Sequence, residues 1–391
     1  MTTLDAGLQR TSAERLTGHT AAAVVLDVKN GEVLAMASSP GFDPNLFEGG
    51  ISAAQWRAWT TAHGAPLINK AIAGLYSPGS TFKMVVALAA LEARVVTPGE
   101  RIVCSGVVQL GTARFHCWKR GGHGAVELHE AIKQSCDVYF YEIARRTGID
   151  AFAAMANRFG LGVAPRIELP GARAGLVPTR AWKQARVGAP WQIGETLVHG
   201  IGQGFLQTTP LQLAVMTARL VNGGRTVQPH LTRAIDGRLL RGAQSEDWPL
   251  IGIPEAHLRL MRQAMAAVVN ERGGTAFTSR LPAEVGEEMG GKTGTTQVRR
   301  ITMAERERGL RRAEDLPYEW RDHALFVGFA PVAQPAYACA VIVEHGGGGS
   351  AVAAPIARDV MAETLFRDPA RRTAPPEPSY HTVAAHQESR R

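Results

Sequence analysis

The pattern of apolar and polar positions predicts a helix followed by a β-hairpin at the start of the chain. Residues 3–16 carry leucines at roughly helical spacing, and Thr3 is available as an N-cap. Two apolar segments, AAAVVLDV and VLAMASS, then flank the step Asn30-Gly31. Because both residues of an Asn-Gly pair tolerate positive φ, this pair between apolar segments predicts a hairpin.

The middle of the chain is mostly helical in pattern. SPGST opens the apolar segment FKMVVALAALEA, which predicts a buried helix with Pro78 near its first turn. HEAIKQSCDVYFYEIARRTG predicts a second helix that ends at Gly148. Residues 96–125 between them are rich in glycine and cysteine and are predicted to be irregular. Further helices are predicted for 150–159, TTPLQLAVMTARLVNGG and PEAHLRLMRQAMAAVVN, with a loop at IGQGFLQ.

The last third of the chain turns to strand patterns. GGKTGTTQV, HALFVGFAPV and AYACAVIVEHG precede a final helix, AVAAPIARDVMAETLF. Strands at both ends of the chain can form one antiparallel sheet only if the helical middle of the chain is inserted between them and lies outside the sheet. This predicts an α+β fold within one domain of residues 1–367. Residues 368–391 are rich in Pro, Arg and Ser with few apolar positions, and are predicted to be a disordered tail.

Composition narrows the class of protein. The 391 residues are 45% hydrophobic and 20% charged, as in a globular protein with a sizeable core. The formal charge of +8 is spread along the chain, which favours anionic surroundings such as a membrane surface or a pyrophosphate-bearing substrate over a nucleic acid. No stretch approaches 18 consecutive apolar residues, and MTTLDAGLQR lacks the pattern of a signal peptide. We therefore expect no transmembrane helix here, although a leader or anchor could have been lost by truncation.

Ser80 and Lys83 are the first candidate catalytic residues. They are three positions apart at the start of the predicted buried helix and therefore share one of its faces. Serine needs a base to become a good nucleophile, and burial favours the neutral lysine that can act as one. The alternative is a capping serine beside a lysine whose stem covers apolar surface.

Two further motifs follow later in the chain. Ser135 and Asp137 flank a cysteine in QSCDVYF, and could relay a proton and position an amide, or merely form a polar patch on a helix. The segment 292–295, Lys-Thr-Gly-Thr, lies in a predicted strand bracketed by glycines. A glycine allows a ligand to approach the strand closely, and a lysine with hydroxyls suits a carboxylate. The alternative for this segment is an ordinary exposed edge strand.

The order of these motifs carries a resemblance that none of them carries alone. S-x-x-K, then S-x-D about fifty residues later, then K-T-G is the pattern of penicillin-recognising serine acyltransferases. GLYSPGSTFK, GIGQGFLQTTPLQLA, GKTGTTQV, DHALFVGFAP and GSAVAAPIARDVM, with AAAVVLDVKNGEVLAMASSPGFDPNLF, extend it over roughly residues 1–367. This region resembles the transpeptidase domain of the penicillin-binding protein 2 family, the class B enzymes of rod-shaped cell elongation. The resemblance implies a penicillin-binding-protein/serine β-lactamase-like fold with an inserted helical subdomain.

The resemblance also implies the reaction and the roles of the site residues. The expected activity is that of a peptidoglycan D,D-transpeptidase. Its serine takes the acyl group of a D-Ala–D-Ala stem peptide, releases D-alanine, and passes the acyl group to an amine of a neighbouring stem. The implied residues are Ser80 as nucleophile, Lys83 as base, Ser135 and Asp137 as second motif, Lys292, Thr293, Gly294 and Thr295 as third motif, and the backbone N–H groups of Ser80 and Thr295 as oxyanion hole. Asp137 departs from the asparagine of most relatives, which leaves open whether this position donates hydrogen bonds.

Partners and location follow from the same resemblance. It implies peptidoglycan stem peptides on a lipid-linked precursor glycan, β-lactam inhibitors, and a RodA-type SEDS glycosyltransferase of the elongation complex, with no nucleic acid. The implied place is the periplasmic face of the bacterial inner membrane, although the anchor of such proteins is not visible in this sequence. A D,D-carboxypeptidase, a serine β-lactamase and an inactive penicillin-binding scaffold are the rival functions.

The cysteines suggest a metal site. Cys104, Cys117, His123 and Cys136 offer three thiolates and one imidazole, a donor set typical of a closed structural zinc site. Members of the family carry zinc near the second motif, and with that resemblance we expect one structural Zn²⁺ in the segment 96–130. A disulfide between Cys104 and Cys117 and three buried thiols are the alternatives, and His116 and His129 are rival imidazoles. Cys339, His199 and His345 are expected to be structural.

Overall fold

The computed structural model describes residues 1–240, 248–299, 301–302, 305, 308–309 and 311–371. Within these residues, the helices are α1 (Ala6–Arg15), α2 (Ala53–Thr61), α3 (Lys70–Ala73), α4 (Lys83–Glu92), α5 (Leu128–Lys133), α6 (Asp137–Thr147), α7 (Ile149–Arg158), α8 (Arg180–Val187), α9 (Ile193–Gly200), α10 (Pro210–Val221), α11 (Glu255–Asn270) and α12 (Ala353–Arg367). The strands are β1 (Ala21–Asp27), β2 (Val33–Ser39), β3 (Ile102–Cys104), β4 (Val107–Leu110), β5 (Ala113–His116), β6 (Gly124–Val126), β7 (Ala234–Ile235), β8 (Arg238–Leu239), β9 (Gly290–Thr296), β10 (His323–Ala330) and β11 (Tyr337–Val343). None of the described helices combines the length and the apolar character that spanning a membrane requires.

Strands from both ends of the chain form the central sheet. In the described residues this sheet has the order β2-β1-β11-β10-β9. Every neighbouring pair in it is antiparallel, and β1 bridges the N-terminal hairpin to β11. The α+β prediction is therefore confirmed, and β9, which carries the third motif, is an edge strand.

Helices cover both faces of this sheet. All seven residues of β1 and all seven of β11 are buried, which requires cover on both sides because successive side chains alternate between faces. Helices α1 and α12 pack together against β2, β10 and β11. Helix α10 packs against β1, β11 and β10, and α11 packs against β9. The apolar continuity of these strands in sequence reflects this two-sided burial.

A helical subdomain is inserted between β2 and β9 and faces the β9 edge. Helix α4 is buried from Lys83 to Leu91 and packs against α6 and α7, and α6 packs against α9. Helix α5 packs against α11, which itself contacts β9. The start of α4, the junction of α5 with α6, and β9 are thereby brought to one cleft.

The predicted long helix through QSCDVYF is wrong as a single element. It is two helices, α5 and α6, separated at Gln134–Cys136, where Ser135 has the left-handed φ of 55°. Cys136 is the N-cap of α6, and its sulfur accepts the backbone N–H of Tyr139 at 3.5 Å. No glycine or proline marks this break, so helical periodicity continued across it in the sequence.

Other sequence predictions also need correction. The segment 96–125 is not irregular throughout, because β3 pairs with β6 and β4 pairs with β5. Helices α2, α3, α8 and α9 were not predicted. Asp5 and not Thr3 caps α1, since the Thr3 hydroxyl donates instead to the carbonyl of Val33. In the tail, 369–371 form a 3₁₀ turn, and the rest of the tail prediction, 372–391, lies outside the described residues.

Candidate active site

Ser80 lies in a 3₁₀ turn, Gly79–Phe82, that leads directly into α4. The turn is fixed from two sides: the Gly79 N–H donates to the Gly202 carbonyl at 2.9 Å, and the Thr296 hydroxyl donates to the Ser77 carbonyl. Gly79 has a φ of 53°, and a Cβ there would lie 2.7 Å from the Thr295 carbonyl oxygen. Only glycine therefore lets this turn approach β9 so closely.

Lys83 connects the start of α4 to the second motif. Its side chain is fully buried, which excludes the alternative of a lysine reaching to solvent. Its Nζ lies 2.9 Å from the Ser135 carbonyl oxygen, 3.2 Å from Ser135 Oγ and 2.8 Å from Asp137 Oδ1. Burial of an amine is tolerated here because these oxygens satisfy its donors.

A second lysine, Lys292 on edge strand β9, also contacts the Ser135 side chain. Lys292 Nζ lies 2.9 Å from Ser135 Oγ and 3.0 Å from the Thr293 carbonyl oxygen. Burial lowers the pKa of Lys292 well below its usual value. The Ser135 hydroxyl is thus the common partner of both buried lysines.

The rest of the third motif faces the same cleft. Lys292, Thr293 and Gly294 are buried, whereas Thr295 is exposed, so the alternative of an ordinary exposed strand does not hold. A Cβ on Gly294 would lie 2.9 Å from the Thr81 methyl carbon, which explains the glycine at this approach. The Thr293 hydroxyl lies 2.7 Å from that of Thr275.

Asp137 acts as an acceptor on both carboxylate oxygens. Oδ1 accepts from Lys83 Nζ at 2.8 Å, and Oδ2 accepts the backbone N–H of Trp118 at 2.9 Å. An asparagine could satisfy only one of these two donors with its single oxygen. The aspartate at this position therefore matches its surroundings in this chain.

The four predicted metal ligands form one cluster. Their ligand atoms all lie within 4.8 Å of one another, and His123 Nδ1 is 3.5 Å from the sulfurs of both Cys104 and Cys117. The cysteines of this cluster are buried free thiols, not a disulfide. His116 and His129 are not members of the cluster.

The cluster has the chemistry of a soft-metal site. A hydrogen bond from Cys136 lowers the pKa of Cys117, and the same shared proton, with burial, raises the pKa of Cys136. Thiolate is the form that binds zinc, and three sulfurs with one nitrogen suit tetrahedral Zn²⁺. The donor set therefore fits the expected ion. The backbone N–H of Asp137 also approaches Cys117 Sγ at 3.4 Å, which joins the cluster to the second motif.

Sequence reasoning missed two residues beside the motifs. Trp118 contacts the second motif through its backbone and indole N–H groups. Gln203, in the predicted loop IGQGFLQ, donates from Nε2 to the Thr295 carbonyl at 3.1 Å. The residues expected to be structural, Cys339 and His199, are both buried, and His345 Nδ1 lies 3.0 Å from the Arg321 carbonyl.

His323 should make the stability of the fold depend on pH. It pairs with Thr296 at the end of β9, and burial together with the neighbouring His345 lowers its pKa from 6.5 to about 4. Between these values the unfolded chain binds a proton that the native chain does not. The free energy of unfolding should thus fall as pH drops from about 6.5 to about 4, by up to about 3 kcal/mol.

Urea unfolding at pH 4.5 and pH 7 tests this expectation. In the unaltered chain, the backbone N–H of His345 donates to His323 Nδ1 at 2.9 Å. The variant His323→Asn keeps a side-chain oxygen that can accept this backbone N–H, but it removes the titrating ring. Its loss of stability on acidification should be smaller than that of the unaltered chain. His19→Asn, at an exposed position, is the control. Equal losses in the His323→Asn variant and the unaltered chain would show that His323 does not carry this dependence.

Comparison with known proteins gives a consistent picture. The family described as the penicillin binding protein transpeptidase domain matches residues 21–362. The peptidoglycan D,D-transpeptidase MrdA of Haemophilus influenzae is 40% identical over 363 residues, which are 92% of this chain and 55% of that protein. The chain thus spans about half the length of the curated relatives it matches.

Solved structures are similar over the same region. The structure of Pseudomonas aeruginosa PBP2 in complex with WCK 5153 is 40% identical, with a TM-score of 0.81, and the match covers 93% of this chain and 77% of that one. The complex between PBP2 and MreC from Helicobacter pylori contains a chain that is 31% identical with a TM-score of 0.83, where the match covers 94% of this chain and 63% of that one.

Proposed function

The chain belongs to the penicillin-binding protein transpeptidase domain family, and from this premise we propose that it is the catalytic domain of a peptidoglycan D,D-transpeptidase of cell elongation. The observation that carries the proposal is the convergence of Lys83 and Lys292 on Ser135, beside the turn that holds Ser80. A buried lysine next to a helix-start serine, linked to a second hydroxyl and a second lysine, suits acyl transfer through a serine ester.

Lys83 is the base in this proposal. A neutral lysine amine has two N–H donors and one lone pair. The Asp137 carboxylate and the Ser135 carbonyl engage the two donors, and we propose that the lone pair takes the proton of the Ser80 hydroxyl. Ser80 Oγ then forms its bond to the penultimate D-alanine carbonyl carbon as its proton passes to Lys83.

Ser135 completes the proton path. Its Oγ lies within hydrogen-bond distance of both lysines, so a proton taken by Lys83 can leave through the Ser135 hydroxyl to the departing amine. The carbon–nitrogen bond breaks and D-alanine leaves. The amine of a second stem peptide then attacks the ester, its proton returns along the same path, and the new amide cross-link releases Ser80.

The third motif binds the substrate in this proposal. Thr293, Gly294 and Thr295 receive the terminal carboxylate and the acyl peptide along edge strand β9, and Lys292 holds the Ser135 hydroxyl beneath them. The backbone N–H groups of Ser80 and Thr295 stabilise the oxyanion, as donors fixed in advance do in other acyl transfers. A β-lactam resembles the D-Ala–D-Ala unit and acylates the same serine.

Zinc is the proposed structural cofactor. Cys104, Cys117, His123 and Cys136 would hold one Zn²⁺, and their mutual distances and soft donors support this assignment. The ion would cross-link the β3–β6 segment to the start of α6. The ion itself takes no part in the acyl transfer.

Location and partners are proposed from the relatives. We place the domain on the periplasmic face of the inner membrane, where peptidoglycan is built, and assign it stem peptides carried on a lipid-linked precursor glycan. The proposed protein partners are the elongation machinery and its RodA-type SEDS glycosyltransferase. The H. pylori relative, solved in complex with MreC, supports a partnership of this kind.

Product analysis with a pentapeptide donor and an amine acceptor tests the proposal. A transpeptidase gives the cross-linked dimer and D-alanine, whereas a D,D-carboxypeptidase gives only tetrapeptide and D-alanine. The half-life of the penicillin ester separates a third rival: minutes to hours agree with the proposal, and milliseconds would indicate a serine β-lactamase. A chain that reacts with neither substrate nor penicillin would be a scaffold.

Replacing Asp137 by asparagine should slow acylation. The amide would present N–H groups to one of two donors, either Lys83 Nζ or the Trp118 N–H. Losing a hydrogen bond to a charged group costs about 1.5–3 kcal/mol, so we expect the rate of labelling by a fluorescent penicillin to fall about 10- to 100-fold. Glu142→Gln on α6, where the half-buried Glu142 pairs with Arg145 and Arg146 away from the second motif, is the control. An unchanged rate in Asp137→Asn would contradict the acceptor role.

A further inference from the structure

Trp118 contacts the second motif from outside the three catalytic motifs. Its indole N–H lies 3.0 Å from the Gln134 carbonyl and 3.1 Å from the Ser135 carbonyl. Its backbone N–H lies 2.9 Å from Asp137 Oδ2. One residue therefore supplies donors to both ends of the motif.

The turn that Trp118 contacts is strained. Ser135 has a φ of 55°, which is uncommon and costly for a residue other than glycine. Such a conformation persists only where surrounding groups hold it. The Ser135 carbonyl accepts from two directions, from Lys83 Nζ at 2.9 Å and from the Trp118 indole at 3.1 Å. The indole is thus the partner of this carbonyl that takes no part in proton transfer.

The carboxylate of Asp137 is shared in the same way. Lys83 Nζ donates a hydrogen bond to Oδ1, and the backbone N–H of Trp118 donates one to Oδ2. The two acceptors that direct the Lys83 amine, the Ser135 carbonyl and Asp137 Oδ1, belong to groups that Trp118 also binds. A shift of either group would change the orientation of the Lys83 amine.

We propose that Trp118 is a positioning residue for acyl transfer, which fixes the Ser135 turn and the Asp137 carboxylate so that they orient the Lys83 amine. This inference rests on the proposed function, because it gives Trp118 a role in that reaction. It differs from two simpler roles. In the first, Trp118 merely shields the cysteine cluster, since its ring lies edge-on to that of His123 with centroids 5.3 Å apart. In the second, it merely contacts substrate, since Trp118 is 60% exposed.

Two changes at position 118 remove the indole donor while keeping a ring. Trp118→Phe is the simple variant. Incorporation of β-(3-benzothienyl)alanine is the closer one, since it keeps the bicyclic shape and replaces the N–H by sulfur. Trp56→Phe, at a position 49% exposed on α2, is the matched control.

The readouts are the limiting rate constant of acylation by a fluorescent penicillin, its half-saturating concentration, and the melting temperature. We expect both changes at position 118 to lower the limiting rate constant about tenfold, which corresponds to about 1.4 kcal/mol, with the half-saturating concentration unchanged. Trp56→Phe should behave as the unaltered chain.

Other outcomes overturn the inference. A raised half-saturating concentration with an unchanged limiting rate would make Trp118 a substrate contact. A lowered melting temperature with unchanged kinetics would leave it a structural role. An unaltered chain that takes no label at all would contradict the proposed function itself, and so the two failures are distinguishable.

Discussion

The Ser80→Ala variant should form no covalent adduct with penicillin and no cross-linked product. Alanine leaves the turn at Gly79–Phe82 and the buried Lys83 in place but removes the oxygen that attacks the carbonyl carbon. Lys83 and Lys292 then have no nucleophile to activate. We expect the acylation rate to fall by on the order of a thousandfold or more, measured as fluorescent label per chain over time.

Stability measurements complete this experiment. Ser80→Ala should melt at the temperature of the unaltered chain, because the change removes one small partly buried hydroxyl. Ser52→Ala, which alters the exposed N-cap of α2, is the serine control and should label normally. Label that persists in a folded Ser80→Ala variant would assign the nucleophile to another residue.

Removal of the metal should lower stability and labelling together. Free energy of zinc binding is free energy of folding wherever the unfolded chain holds no site. Loss of even about 4 kcal/mol would lower the melting temperature by roughly 5 °C in a domain of this size. Labelling should fall with it, because Asp137 approaches Cys117 Sγ at 3.4 Å and Cys136 directly precedes Asp137 as the N-cap of α6.

Chelation at neutral pH and the variant Cys136→Ala both test this result. Cys339→Ala is the control, because Cys339 is equally buried but lies in β11 outside the cluster. It should lower the melting temperature through a cavity while leaving the zinc content at one ion per chain. An unchanged melting curve after chelation, with no zinc found by elemental analysis, would overturn the metal assignment.

The sheet was predictable because its strands carry strong local signals. Asn30-Gly31 between apolar segments indicated the hairpin, and the strands β9 to β11 are continuous apolar or glycine-bracketed segments. Helix α10 was also predicted, and in the structure Thr209 and Gln212 form a capping box at its start. Helices α8 and α9 were missed because each is only eight residues long, too short for its amphipathic pattern to stand out in the sequence.

The site was predictable as a set of motifs but not as a geometry. Spacing placed Ser80 and Lys83 on one face, whereas the contact of Lys292 with Ser135 depends on the packing of β9 against the inserted helices. The helix break at Ser135 could not be predicted because a serine does not usually indicate a positive φ, as a glycine or an asparagine does. Trp118 was invisible because a backbone N–H has no sequence signature.

Intact-mass spectrometry of the chain after exposure to penicillin, followed by peptide mapping, tests the serine acyl-transfer site most directly. The account predicts a mass increase of one penicillin per chain, located on the peptide that contains Ser80 and lasting for minutes to hours. An adduct on another residue, or a chain that keeps its original mass at every penicillin concentration, would contradict it.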